Sequence, residues 1–169
     1  MARRRRLLIA PLVALALPAA LAGGAAARAT VERSPELWAT VDVCHPADQP
    51  GTVGVRASMP GNGRADETLY MRFRVQYENP STHVWLDSAG ADSGYVKVGS
   101  AAAHAVQAGR SFRFDASGGH RFVLRGVVDF QWRRETHVVI AAAVHTLAGH
   151  GGGAGADPPG FSAGTCSIG

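Results

Sequence analysis

The chain of 169 residues carries seventeen basic and thirteen acidic residues, a formal net charge of +4 and a pI near 9.7. Such a balance points to nucleic acid or an anionic membrane surface as partner, but the basic excess is local, with Arg3 to Arg6 and Arg28 all ahead of position 30. Without these five, twelve basic residues face thirteen acidic ones, a net charge of −1, and neither partner is supported.

Arg3 to Arg6 lead into an apolar run from Leu7 to about Leu21 and then a stretch of small residues. This is the pattern of a secretory signal peptide. Ala27-Arg28-Ala29 has the small-x-small form of a cleavage site, so the leader is expected to span 1–29 and the mature domain 30–169, with Ala25-Ala26-Ala27 as a neighbouring site. The run falls short of the ~20 residues of a bilayer span and is interrupted by Pro11 and Pro18, so no membrane span is expected after cleavage. A secreted or cell-envelope location follows, and about 140 residues suffice for one domain with a proper core.

Along the mature chain the dominant period is two, with short apolar alternations separated by Gly, Pro, Asp and Ser, the pattern of an all-β antiparallel sandwich of seven to eight strands. In 37–45, LWATVDVCH, Leu37, Ala39, Val41 and Val43 share one face and Cys44 points the other way unless a bulge intervenes. GTVGVRAS presents Val53, Val55 and Ala57 on one side, and MPGNGRAD, 59–66, is turn-rich. TLYMRFRVQYE, 68–78, is the clearest strand: Leu69, Met71, Phe73, Val75 and Tyr77 face a core while Tyr70, Arg72, Arg74 and Gln76 face water.

THVWL (82–86) and YVKVG (95–99) read as strands around a solvated turn, DSAGADSG (87–94), and SAAAHAVQAG (100–109) as a connection before RSFRFD (110–115). FVLRGVVDFQWRR, 122–134, puts Phe122, Leu124, Val128, Phe130 and Trp132 on one face, with Gly126 marking a bend or bulge. A short connection at Arg134-Glu135 leads into a hairpin partner, where Val138, Ile140, Ala142 and Val144 form the core face and His137 and His145 share the other. Residues 148–160 form a Gly/Pro-rich loop, and FSAGTC then forms an edge strand that returns Cys166 to the first strand.

Cys44 and Cys166, one near each end of an exported domain, are expected to form a single disulfide. Closing so long a loop stabilises by roughly 4 to 5 kcal/mol in the chain-entropy model. These strands, the mid-chain tryptophans and the disulfide together resemble an immunoglobulin-like or fibronectin-type-III-like sandwich. The stretches YVKVGS, FRF, LRGVVDFQW and DPPGFSAGTC are also similar to small secreted bacterial proteins built as single immunoglobulin-like units. The resemblance implies fold and an extracellular module and carries no activity or binding residue. It departs from immunoglobulin domains in the cysteines, which there bridge the second and sixth strands.

Function is read as binding or a structural surface role, without catalysis or a required cofactor, the partner being an extracellular protein or glycan. The candidate surface is Tyr70, Arg72 and Arg74 on the wet face, with Trp85 and Tyr95 flanking the DSAGADSG turn, because exposed aromatics beside arginine are common recognition elements. The competing reading makes Trp85 and Trp132 core residues and has Tyr70 packing across strands. An alternative function is an extracytoplasmic zinc or copper protein using His145, His150 and His45. His137 and His145 themselves stand some 26 Å apart along a strand, too far to share one ion.

The two-His, Cys, Met cluster of small copper proteins is absent around Cys166. Asp87, Ser88, Asp92 and Ser93 lack the spacing of a calcium loop. The second alternative, a secreted hydrolase, would need an activated serine, and Ser93 and Ser162 read as turn and edge residues.

Overall fold

In the structure, a computed structural model, residues 28–115 and 120–169 are described. The leader read from the sequence therefore lies outside the described residues, positions 28 and 29 excepted. Residues 28–32 form a helical turn closed by an Arg28 to Glu32 ion pair at 2.8 Å, and its Val31 packs into the core. No helix among the described residues is long and apolar enough to cross a membrane.

Eight strands follow: β1 (Trp38–Cys44), β2 (Thr52–Pro60), β3 (Glu67–Glu78), β4 (Trp85–Ser100), β5 (Ala105–Arg113), β6 (Phe122–Arg134), β7 (His137–His145) and β8 (Cys166–Ile168). They make two antiparallel sheets, β1-β2-β5 and β4-β3-β6-β7, with β8 also hydrogen-bonded to β6. The period-two pattern thus produces the expected all-β sandwich. Leu69, Met71, Phe73 and Val75 of β3 and Leu124, Val128, Phe130 and Trp132 of β6 are buried against Val41, Val53, Val55, Ala57 and Met59 of the smaller sheet. The Trp132 indole N–H donates to the Pro60 carbonyl at 3.0 Å, which satisfies its one polar atom and joins the two sheets.

The parity conflict at Cys44 is resolved by a bulge. Val41 pairs with Val55 and Cys44 with Val53, with the register shift at Asp42 between them. One extra residue turns Cys44 onto the core face, where it forms the disulfide with Cys166 at a Cα separation of 5.4 Å. The bond ties β1 of one sheet to β8 of the other.

Several boundaries differ from the sequence reading. DSAGADSG is no turn: it runs inside β4, whose sixteen residues pair with the twelve of β3 through three register shifts, all with the surplus on β4. Gly90 and Gly94, at φ +75° and +63°, lie in this irregular part, where a left-handed residue is needed. β5 starts at Ala105, inside the supposed connection.

Gly126 makes no bulge against β3 either. It pairs in register with Val75, and a Cβ there would meet Val55 Cγ1 at 2.8 Å and Thr146 Cγ2 at 2.6 Å, so its bare backbone is what lets the sheets approach. On β7 a shift between Ile140 and Val138 turns Val138 outward, nearly half exposed, and puts His137 and His145 on opposite faces. The hairpin forms as expected, but its connection is Glu135-Thr136, one residue later than Arg134-Glu135, with Glu135 at φ +53°.

The C-terminal segment does more than return Cys166. Leu147 N donates to Ala39 O, Asp157 N to Asp42 O, and Ala163 exchanges two hydrogen bonds with Val41. It therefore occupies the free edge of β1, while β8 itself pairs with β6. The Gly-rich loop then folds over the small sheet: Arg56 Nη2 donates to His150 O at 2.6 Å, and Gly153 sits where a Cβ would overlap the guanidinium. This covering explains why every residue of β2 is buried on both faces.

Candidate functional site

The outer face of the larger sheet gathers the polar side chains that alternation sends away from the core. Across β3 and β4, Tyr70 pairs with Lys97, Arg72 with Tyr95, Arg74 with Asp92, Gln76 with Asp87 and Glu78 with Trp85. On the other side of β3, Arg72 pairs with Asp129 and Gln76 with Arg125. All five residues named from the sequence, Tyr70, Arg72, Arg74, Trp85 and Tyr95, therefore lie on one face, although the turn supposed to position two of them is a strand. Trp85 belongs to this face, whereas Trp132 is fully buried.

The arginines divide into two kinds. Arg72 forms a forked pair with Asp92, with Nε donating to Oδ1 at 2.8 Å and Nη2 to the second oxygen. That pairing holds the Asp92 carboxyl down at about 2 and raises the Arg72 pKa. Arg74 forks onto Asp129 at 3.0 and 3.2 Å and also reaches Asp87 at 3.0 Å, and its pKa is raised first by Asp129. Both are neutralised within the sheet.

Arg125 and Arg133 have no carboxylate partner among the described residues. Arg125 lies over the Trp85 ring at 4.3 Å and donates twice to Gln76 Oε1, at 3.0 and 2.9 Å. Arg133 lies over Tyr70 at 4.2 Å and Tyr95 at 4.9 Å and donates twice to Gln131 Oε1. Alternation along β6 puts both on the outer face, and no motif in the sequence separates them from Arg72 and Arg74. Only the cross-strand register decides which arginine meets an aspartate.

The histidines proposed for a metal do not come together. His45 has φ +49° and its Nδ1 accepts the Gly51 amide at 2.7 Å, closing the β1–β2 loop. His145 stands on the outer face, where burial first and then Arg125 and Arg74 lower its pKa. His150 stacks on Trp38 under the Gly-rich loop. Among the described residues no three His, Cys, Asp or Glu side chains are arranged to hold an ion.

Asp87, Asp92 and Ser93, of the stretch read as a solvated turn, have side-chain oxygens that are also committed. Asp87 accepts from Arg74 and Gln76, Asp92 from Arg72, and Ser93 Oγ accepts the Phe73 amide at 2.9 Å.

Residues 160–164, GFSAG, do spell the G-x-S-x-G of a nucleophile elbow, which the reading of Ser162 as an edge serine passes over. Ser162 Oγ lies 2.7 Å from Thr40 Oγ1 and accepts the backbone amide of His150 at 2.9 Å. Among the described residues no helix follows it and no imidazole or carboxylate is hydrogen-bonded to it; its two contacts anchor the loop to β1.

Fold and face together define a disulfide-linked two-sheet β-sandwich with an arginine and aromatic outer surface. Compared with protein-family models, curated proteins and solved structures, the chain matches none.

Proposed function

We propose that the protein is a secreted, non-catalytic module of immunoglobulin-like type that binds an extracellular ligand through the outer face of its larger sheet. The observation that carries this is the pair Arg125 and Arg133, each laid on aromatic rings and each lacking a carboxylate partner among the described residues. Cations held this way have lost much of the side-chain entropy that binding otherwise costs, which favours recognition over a purely stabilising role. The leader-like N-terminus and the disulfide support an extracellular setting.

The test is co-sedimentation of the disulfide-intact protein with the envelope fraction of the cells that export it. Wild type is expected in the pellet and Arg125→Gln/Arg133→Gln in the supernatant, with equal melting temperatures. Equal partition of the two would overturn the reading.

A further inference from the structure

The two ends of the outer face repeat one construction: a guanidinium over an aromatic ring, pinned by both Nε and Nη2 to a single glutamine oxygen. In each, Nη1 makes no hydrogen bond among the described residues and remains as a donor. Both arginines are on β6 eight residues apart, about 26 Å along the strand. Between them lie Asp87, Asp92 and Asp129, each ion-paired to Arg72 or Arg74, with one carboxylate charge in excess of the two guanidinium charges. Glu78, at the margin, pairs with His83 at 2.8 Å. The face thus offers widely spaced free cations with ion-paired carboxylates in the interval.

None of these arginines or rings lines the cleft beside Val31 and Ile140, the one beside Arg56 and Ala154, or the one beside Tyr77 and Phe122. A flat face suits an extended ligand, not a small enclosed one. An extended peptide would pair with the open backbone of the edge strands β4 or β7 at the margins, not lie across the side chains of the face where the two arginines stand. A nucleic acid, with a phosphate at every nucleotide, would crowd the interval where the aspartates stand with more charge than a chain charged only at every second unit. A hydroxyl-rich chain with charges at intervals fits both features, because its hydroxyls can donate to the aspartate oxygens while its carboxylates meet the two guanidinium forks.

We propose that Arg125 on Trp85 and Arg133 on Tyr70 and Tyr95 are the two anchor points for a linear acidic polysaccharide in which uronates alternate with neutral sugars. This rests on the reading of the outer face as the binding surface and names its ligand class.

The experiment is titration calorimetry of the disulfide-intact protein with a hyaluronan oligosaccharide, with dextran, poly-glutamate and single-stranded DNA as comparison arms. Hyaluronan is expected to bind and to weaken with added salt. Each of Arg125→Gln and Arg133→Gln should lose about tenfold in affinity, and Arg133→Lys, which keeps charge but not the fork and stack, should lose part of it. Absence of hyaluronan binding, equal binding of poly-glutamate or DNA, or full affinity in both glutamine variants would overturn the ligand class. If hyaluronan fails while envelope co-sedimentation still depends on the two arginines, the binding face stands and only its ligand changes. If neither depends on them, both readings fall.

Discussion

The imidazole of His150 lies on the indole of Trp38, ring centroids 4.3 Å apart and planes within 6° of parallel. Burial first, and then the nearby Arg56 charge, lower the His150 pKa. The neutral ring is therefore the form that the folded loop accepts. Its contribution to stability is present above the unfolded value of about 6.5 and is lost as pH falls from there toward the lower folded value. Urea unfolding from pH 7.5 down to 5 should show a steeper loss for wild type than for His150→Gln; His145, shifted the same way, adds to the slope in both. Parallel slopes would count against this account.

Beneath that stack, Asp42 and Arg56 form an ion pair at 3.3 Å with both side chains nearly buried. Arg56 Nε has no properly aligned acceptor, so the interaction is Coulombic more than a directed hydrogen bond. Asp42→Ala leaves the guanidinium buried without its counter-charge and should cost about 3 to 5 kcal/mol in urea denaturation. Asp42→Ala/Arg56→Leu should recover part of that loss. Burial raises the Asp42 pKa, so its ionisation opposes folding: that cost is absent below the unfolded value, grows as pH rises from there and is complete above the folded one.

A methyl group at position 126 has nowhere to go, with Thr146 and Val55 both inside contact distance. Gly126→Ala should destabilise by about 1 to 3 kcal/mol. Gly152→Ala, where the added carbon meets nothing within 4 Å, is the matched control. Thermal melts of the two variants side by side decide the point.

The Asp92 carboxyl titrates at about 2 because of its hydrogen bonds from Arg72. Its contribution is present above the unfolded carboxylate value and is lost as pH falls through about 2, which a carbon-detected NMR titration would follow. Asp92→Asn should also release Arg72, adding a third unpaired guanidinium to the outer face and tightening any anionic ligand held there.

Much of the core was readable in advance. The alternation in β3 and the apolar face of β6 identified Leu69, Met71, Phe73, Val75, Leu124, Val128, Phe130 and Trp132, because a half-buried antiparallel strand must separate its two faces every second residue. β4 was not readable. Its Asp, Ser and Gly residues have the composition of a turn, yet the two aspartates serve as cross-strand partners for Arg74 and Arg72. Composition carries no mark that distinguishes a residue exposed in a loop from one exposed on a sheet.

From the sequence alone came the all-β class, the pairing of two lone cysteines and the polar face of β3 that holds Tyr70, Arg72 and Arg74. Each follows from local periodicity or from a count, quantities that a chain carries before it folds. Tertiary structure decided the rest: the bulge at Asp42 that turns Cys44 inward, the shift that turns Val138 out, and the closing of the Gly-rich loop over Arg56. It also decided that Arg125 and Arg133, rather than Arg72 and Arg74, keep their charge unpaired. One inserted residue reverses every side chain beyond it, and the register between strands distant in sequence determines which charges meet.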